Sequence, residues 1–192
     1  MNTPAFLQLI ETPRMWLRCP LPGDGDALYR GVSESLQQLR QWPDSLPWAQ
    51  NEQSPRVSED YCQTCYAACV MQVAWPMLLI DKGSEDVIGT VGFHHIDGVQ
   101  GIWELGYWCR WRYQKQGRMS EAVVALTEAA LGSWPGVQLT SRVDQRNVAS
   151  VKVLERAGYA CVREERTTAV SGSVQVVLHY ACSRPPQTAQ SS

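Results

Sequence analysis

At 192 residues the chain is long enough to bury a core of its own, and one domain is the simplest expectation. Hydrophobic residues make up 44% and charged residues 19%, a balance that is typical of a globular protein and excludes a disordered or fibrous one. The formal net charge of -2, without a long run of Lys and Arg, argues against a protein that binds the phosphate backbone of nucleic acid.

Membrane and secretion signals are also missing from the sequence. No stretch approaches the roughly 18 to 20 consecutive apolar residues of a membrane span, and the N-terminal segment lacks the basic region of a signal peptide. The cysteines are odd in number and unevenly spaced, which favours reduced thiols over a disulfide framework. We therefore expect a cytoplasmic protein without a nucleic-acid or membrane partner.

The N-terminal part of the chain predicts one strand followed by two helices. A strand at 14–19 precedes a loop in which Asp24 or Asp26 can cap a helix that runs to about residue 40. The prolines and tryptophans of 41–50 indicate a rigid aromatic loop rather than regular structure. A second helix is predicted from about 54 to 73.

From Trp75 onward the pattern changes to strands, and turn signals separate the first three, which favours three consecutive antiparallel strands. The predicted elements are strands at 75–81, 87–96 and 102–110, a helix at 120–131, a strand at 137–143, a helix at 148–157, and strands at 159–168 and 173–181. This order indicates an α+β fold, with one layer of sheet and helices against it. The polar tail at 184–192 is expected to be disordered, which leaves one domain at 1–183.

Three cysteines lie close together at Cys62, Cys65 and Cys69. The C-x-x-C spacing supplies two thiolates at the distance used by zinc and iron–sulfur sites. On a helix, however, the three residues share one face, and free cysteine is more often a small buried hydrophobe. Because no second C-x-x-C pair completes a site, we expect no metal.

Three segments carry a resemblance to a known family: E-L-G-Y-W at 104–108, Q-K-Q-G-R-M-S-E-A at 114–122, and D-Q-R-N-V-A-S-V-K-V-L-E-R-A-G-Y at 144–159. Together they resemble the GNAT acetyltransferase superfamily, and within it the RimJ/RimL-like branch, which acetylates protein N-termini and small amines. E-T-P-R-M-W-L-R at 11–18 and the spacing of Leu36, Leu39 and Trp42 are similar to that branch as well. Met119 departs from the Gly or Ala that is most common in the superfamily.

The resemblance implies a GNAT fold, with a single central, mostly antiparallel mixed sheet of about seven strands and four helices packed on it. It also implies an N-acetyltransferase in which an amine, either a protein N-terminus or a small molecule, attacks acetyl-CoA directly in a ternary complex. A non-catalytic acyl-CoA-binding module of the same fold is the alternative. Relatives form monomers and dimers, so a homodimer stays open.

The segment at 114–120 is the predicted pyrophosphate site. A loop that opens onto a helix N-terminus offers unpaired N–H groups and the positive end of the helix dipole. Gly117 allows close approach of a phosphate, while Lys115 and Arg118 add positive charge. The alternative is an ordinary helix start capped by Ser120. The residues expected to bind the cofactor here are Gln114, Lys115, Gln116, Gly117, Arg118, Met119 and Ser120.

The strand at 102–110 carries the remaining cofactor contacts that the resemblance implies. In the family this strand diverges from the next one, and free backbone groups at Tyr107, Trp108 and Cys109 bind the pantetheine arm. Asn147 is similar to a residue near the same arm, although it can equally cap the following helix. No histidine is implied beside Cys109, so the sequence gives no sign of a covalent route.

Transfer requires a neutral amine, so a base is expected near the thioester. Glu104 is the candidate, by analogy with related enzymes, with an ion pair as the alternative role. His94 and His95 are rivals, because imidazole titrates near neutrality and at most one of two adjacent strand residues faces the site. Ser150 resembles the hydroxyl that eases departure of the thiolate, and its alternative is a solvated serine.

The acceptor is the least constrained part of the prediction. Trp42 and Trp48 in the aromatic loop are expected to form a wall of its site, although tryptophans at such positions pack in the core equally often. His94 is a further candidate for acceptor contact. A nucleotide-binding oxidoreductase or P-loop protein is excluded, because neither G-x-G-x-x-G after a strand nor G-x-x-x-x-G-K-[ST] is present.

Overall fold

The computed structural model describes residues 9–97 and 100–183, except for the side chains at 95 and 97. The expected disordered tail at 184–192 and the side chain of the rival base His95 lie outside the described part. The elements are β1 (Ile10–Glu11), β2 (Met15–Arg18), α1 (Gly25–Leu39), α2 (Pro55–Met71), β3 (Trp75–Asp81), β4 (Val87–Asp97), β5 (Ile102–Cys109), α3 (Arg118–Ser133), β6 (Gln138–Asp144), α4 (Val148–Arg156), β7 (Ala160–Thr168) and β8 (Val174–Cys182).

The described strands form one sheet in the order β1-β2-β3-β4-β5-β6-β8-β7. Every neighbouring pair is antiparallel except β5 and β6, which run parallel. The predicted α+β class and the mostly antiparallel mixed sheet are therefore confirmed. The expected count of about seven strands is low by one, because Ile10–Glu11 is a two-residue strand that leaves no alternating pattern to detect.

Helices cover both faces of the sheet. On one face, α3 and α4 bury Leu126 and Leu154 against alternate side chains of the strands. On the other face, α1 buries Leu28 and Val32, which recur at helical spacing, against Trp108 of β5. Successive residues of β5 therefore serve different cores, as the alternation of its sequence predicts.

The predicted cap of α1 is wrong. Asp24 occupies the position before the helix, but its carboxylate accepts hydrogen bonds from Arg18 at 2.6 and 2.8 Å and makes no cap bond. The N–H groups of Gly23 and Gly25 are satisfied instead by Glu59 of α2, at 2.9 to 3.1 Å. The Asp24 carboxylate binds the Arg18 guanidinium instead of the helix N–H groups. Glu59, from a distant part of the chain, accepts hydrogen bonds at the start of α1 in its place.

The cysteines of α2 behave as buried hydrophobes. Cys62 and Cys69 are fully buried and Cys65 is 8% exposed. Burial raises the pKa of Cys62 to about 12 and that of Cys65 to about 11, so both thiols stay protonated at neutral pH. Within the described residues, no group of three or more His, Cys, Asp and Glu side chains is arranged to hold a metal ion. None of the described helices is long and apolar enough to cross a membrane.

The parallel pair β5 and β6 creates an opening in the sheet. Three residue pairs join the two strands, ending at Glu104 and Thr140, and none follows in the rest of either strand, both of which are described in full. Beyond that point the Ser141 hydroxyl donates to the Leu105 carbonyl at 3.0 Å. After Leu105 the backbone of β5 therefore has no strand partner on this side, and the Cys109 carbonyl accepts a hydrogen bond from the Gln114 side chain at 3.0 Å instead.

Candidate active site

The loop before α3 has an unusual backbone. Lys115 and Gly117 both have positive φ values, of 60° and 75°, and α3 begins at Arg118, two residues earlier than predicted. Gly117 precedes the helix without a side-chain cap, so the alternative of a helix start capped by Ser120 is wrong. Among the described residues, no acceptor is assigned to the backbone N–H groups of 115–120. The loop therefore presents a row of free donors at the positive end of a helix.

The side chains of Arg14 and Arg118 form contacts that hold this loop in place. Arg14, just before β2, donates to the Gln116 carbonyl at 2.9 Å and forms an ion pair with Glu121 at 2.7 Å. Arg118 pairs with the buried Asp81 at the end of β3, and its guanidinium lies 5.3 Å from the ring centre of Tyr113. The backbone donors are therefore held in place before any ligand arrives. The Arg118 guanidinium is committed to Asp81, which leaves its backbone N–H as the group free for an anion.

The pKa of Glu121 reflects this bracing. Burial alone raises it, but hydrogen bonds from Thr12 and Arg14 outweigh that effect and hold it below its ordinary value. Glu121 is therefore charged at neutral pH and attracts Arg14 strongly enough to fix the loop.

A cavity of about 750 Å³, called the large cavity below, opens between this loop, the end of β5, α1 and α4. It brings together most of the residues predicted to bind the cofactor, together with Ser150 and one of the two loop tryptophans. Those residues are Trp42, Tyr107, Trp108, Cys109, Gln114, Lys115, Gly117, Arg118, Met119, Ser120, Asn147 and Ser150.

The charged side chains that line the large cavity are all cationic, although Arg118 is paired with Asp81. The cationic side chains are those of Lys115, Arg118, Lys152 and Arg156, and no carboxylate is among the described residues that line the cavity. In a chain of net charge -2, this concentration of positive charge is local. It is suited to a ligand that carries several negative charges.

Two of the predicted residues, Gln116 and Trp48, line neither the large cavity nor the second cavity described below. The Gln116 side chain donates to the Arg112 carbonyl at 2.8 Å. Trp48 packs against Trp108, with ring centres 6.1 Å apart, and so supports the wall of the large cavity from behind.

The N-terminus of α4 meets β5 at the base of the large cavity. The Asn147 side chain caps α4 by accepting the Ser150 N–H at 3.1 Å. The Ser150 carbonyl accepts a hydrogen bond from the Tyr107 hydroxyl at 3.1 Å, and burial keeps the pKa of that hydroxyl well above its ordinary value. Among the described residues the Ser150 hydroxyl has no assigned partner, so it is available to a ligand in the cavity.

Cys109 does not have the properties of a nucleophile. It lines the large cavity, but burial raises the pKa of its thiol to about 12, against a smaller opposing effect of Arg118. The thiol is therefore protonated at neutral pH, whereas nucleophilic attack requires a thiolate.

A second cavity of about 480 Å³, called the small cavity below, lies beside the preceding residues of β5. Glu104 and His94 both line it and are directly opposite each other in the β4–β5 pair. The Arg142 Nε donates to Glu104 Oε1 at 2.9 Å. Four carboxylates and one guanidinium are present in the lining: Asp44, Glu104, Asp144, Glu165 and Arg142.

The two cavities meet along β5. Leu105 and Gly106 line the small cavity, and the next residues, Tyr107 to Cys109, line the large one. Glu104 and Ser150 therefore belong to different cavities, which are joined along this strand.

One loop, at 40–46, forms part of both cavities and is called the bridging loop. Trp42 and Leu46 face the large cavity, and Asp44 and Ser45 face the small one. The Asp44 carboxylate also accepts the Val170 N–H at 3.0 Å, which ties the loop to the turn between β7 and β8.

Several charged residues of the two cavities are absent from the sequence prediction. Lys152 and Arg156 follow Val148 at intervals of four residues along α4, and all three line the large cavity, so this helical spacing is the signal that could have identified the two cations. Asp44, Arg142 and Glu165 come together only because β8 lies between β6 and β7, and no local pattern reveals that order.

A comparison with protein families identifies the class. Residues 14–160 match the family described as acetyltransferase (GNAT) domain. The chain belongs to this acetyltransferase family, and the resemblance seen in the sequence is confirmed.

Individual relatives are more distant. An uncharacterized N-acetyltransferase p20 from Bacillus licheniformis is 32% identical over 81 residues, which span 42% of this chain and 46% of that protein. The structure of RimL, a ribosomal L7/L12 alpha-N-protein acetyltransferase in complex with coenzyme A, is similar with a TM-score of 0.81 at 22% identity, covering 91% of this chain and 97% of RimL. The ribosomal-protein-S5-alanine acetyltransferase of Vibrio fischeri has a TM-score of 0.79 at 18% identity, over 91% and 96% of the two chains. These structures establish that the fold is shared.

Proposed function

We propose that this protein is an acetyl-CoA-dependent N-acetyltransferase in which a primary amine attacks the thioester directly. The observation that carries the proposal is the pair of oppositely charged cavities that meet at the β5–β6 opening. A positively charged cavity suits the anionic acetyl donor, and a cavity rich in carboxylates suits an amine that arrives as a cation.

The residues of the large cavity fit acetyl-CoA. The free N–H groups of 115–120 supply donors for a pyrophosphate, and no carboxylate in the described lining repels it. Backbone groups of Tyr107 to Cys109 that have no partner on the β6 side supply donors and acceptors for the amide groups of the pantetheine arm, except for the Cys109 carbonyl, which accepts from Gln114. When bound, acetyl-CoA supplies an activated acyl group as a thioester.

Glu104 is the proposed base on the acceptor side. Arg142 engages only one of its carboxylate oxygens, and among the described residues Oε2 has no assigned partner. That oxygen can accept a proton from the ammonium group, directly or through one water, and so produce the neutral amine that attack requires. Arg142 fixes the orientation of the carboxylate.

Ser150 is the proposed donor on the other side of the opening. Its backbone is fixed by Asn147 and Tyr107, and its hydroxyl faces the large cavity. A hydrogen bond from this hydroxyl to the departing sulfur would ease expulsion of the CoA thiolate. A backbone N–H of β5 beyond Leu105 is suited to the developing oxyanion, because it has lost its strand partner.

The acceptor is proposed to be a primary amine, either a protein N-terminus or a small molecule. Three ribosomal-protein acetyltransferases of similar fold support the first class, and the microcin C7 self-immunity acetyltransferase, with acetyl-CoA and AMP bound, supports a wider range. A cytoplasmic location and a homodimer stay predictions.

The proposal is tested by thiol release from acetyl-CoA in the presence of free amines and of peptides with free N-termini. Thiol release that requires one acceptor class is expected, with formation of the acetylated amine in equal amount. Binding of CoA without thiol release for any acceptor would indicate the non-catalytic acyl-CoA-binding module instead.

A further inference from the structure

The outer end of the large cavity carries two basic side chains on one face of α4. Lys152 and Arg156 are four residues apart and both line the cavity. An α-helix rises 1.5 Å per residue, so Arg156 lies about 13 Å along the axis from Asn147, which caps the inner end of α4. The two cations therefore lie away from the β5–β6 opening, in the part of the cavity beyond the reacting groups.

These two cations, like Lys115 at the loop before α3, have no carboxylate partner among the described residues, unlike the other arginines around the site. Arg14 is paired with Glu121, Arg110 with Glu34, and Arg118 with Asp81. In contrast, no ion pair or side-chain hydrogen bond is assigned to Lys152 or Arg156 within residues 9–97 and 100–183, and both side chains are exposed. Their positive charge is consequently available to a ligand.

CoA carries a pyrophosphate and a separate ribose phosphate, and different groups of the cavity are suited to each. Backbone N–H groups of 115–120 can satisfy the pyrophosphate, which is held close to the start of α3. CoA also carries a phosphomonoester on its ribose, with a charge of about -2 at neutral pH, as for other phosphomonoesters. A compact dianion of this kind is matched by two mobile cationic side chains, one of them able to make bidentate hydrogen bonds.

We propose that Lys152 and Arg156 form a clamp for the ribose 3′-phosphate, through which the protein distinguishes CoA from 3′-dephospho-CoA. This inference rests on the proposed function, because it assumes that the large cavity binds CoA. Arg156 lies in the last turn of α4, where the helix dipole stabilises its positive charge.

The test compares the affinities of two ligands that differ only in this phosphate. Isothermal titration calorimetry gives the dissociation constants of CoA and 3′-dephospho-CoA for the wild-type chain and for Lys152→Gln/Arg156→Gln. The wild type is expected to bind CoA about tenfold more tightly than 3′-dephospho-CoA, as two exposed charge pairs would give. In the double variant that ratio is expected to fall below about threefold, with the loss confined to CoA.

A charge-matched control separates a local clamp from the general charge of the protein. Arg30→Gln/Arg56→Gln removes two positive charges from exposed positions on α1 and α2 that line neither cavity, and it is expected to keep the wild-type ratio. If the wild type binds both ligands with equal affinity, the clamp is overturned and the proposed function stands. The same follows if Lys152→Gln/Arg156→Gln lowers the affinity for both ligands by the same factor. Failure of the folded wild type to bind either ligand would overturn both.

Discussion

The large and small cavities are close neighbours with opposite chemistry. The large cavity is lined by four cationic side chains and, among the described residues, by no carboxylate. The small cavity is lined by four carboxylates and one arginine. A single strand, β5, forms part of both walls, so the sign of the charge changes between Gly106 and Tyr107.

Because of this contrast, a single sheet offers two adjoining sites that suit substrates of different charge. The pairing of β5 with β6 ends at Glu104, next to the point where the lining passes from the small cavity to the large one. In the proposed function the polyanionic donor occupies the cavity lined by cations, and the acceptor amine occupies the cavity that contains carboxylates. Each of the following variants changes a residue that belongs to, or supports, one of the two cavities and leaves the other cavity unchanged.

The largest effect is expected at the acceptor side. Glu104→Gln should lower kcat about a hundredfold or more, because loss of a general base typically costs that much. CoA affinity should be nearly unchanged, since Glu104 lines only the small cavity. Steady-state kinetics combined with CoA calorimetry separates the two quantities.

The matched control for this variant is Glu128→Gln on the exposed face of α3, which removes the same charge outside both cavities. A kcat for Glu104→Gln equal to that of the control, at several neutral pH values, would remove Glu104 from the role of base.

The next effect is expected at the donor side. Gly117→Val should weaken acetyl-CoA binding by about 5- to 30-fold, because φ at this position is 75° and a β-branched residue there costs roughly 1–2 kcal/mol and displaces the neighbouring N–H groups. The change should appear in the KM for acetyl-CoA. Glu104-dependent proton transfer is on the other side of β5 and should be preserved.

Gly136→Val provides the control, since φ at Gly136 is 86° and the residue lines neither cavity. Both variants should lose thermal stability, which a melting curve reports. Saturation of Gly117→Val at the wild-type acetyl-CoA concentration would contradict the assignment of the loop.

A smaller effect is expected from loosening the loop without touching its donors. Arg14→Gln removes the ion pair with Glu121 and weakens the contact with the Gln116 carbonyl. The dissociation constant of CoA should rise about three- to tenfold, as for loss of one charge-assisted hydrogen bond. Lys82→Gln, which removes an ion pair with Glu11 away from the cavities, should leave it unchanged. Equal CoA affinities for these two variants would show that the loop is held by its backbone alone.

The smallest effect concerns pH. The pKa of Glu121 is lowered in the folded chain, so its contribution to stability is complete above the ordinary pKa of a glutamate and is lost as pH falls through the folded value. Between pH 7 and about pH 3.5 the free energy of unfolding should therefore fall less for Glu121→Gln than for the wild type. The two decreases should differ by less than about 1 kcal/mol, because solvent screens this partly exposed pair. Urea denaturation at the two pH values measures the difference, and an identical pH response would contradict it.

The sequence predicted the elements and the glycine-containing loop before α3 well, because both depend on local patterns. Alternation identified β3 to β5, and the Q-x-x-G-x spacing located the loop even though α3 begins earlier than expected. The small cavity was not predictable in the same way. Glu165 and Asp44 reach it through strand order and through a contact with Val170, far along the chain. The failed cap of Asp24 has the same cause, since a neighbouring arginine and a distant glutamate decided it.

The bridging loop at 40–46 gives the two cavities a common wall. Trp42 and Asp44 belong to the same short segment, so a shift of the loop that widens one cavity changes the wall of the other. Binding free energies are reciprocal: any factor by which the donor alters the acceptor's dissociation constant applies equally to the donor when the acceptor binds first. The preferred order of substrate addition is therefore expected to depend on this loop rather than on β5.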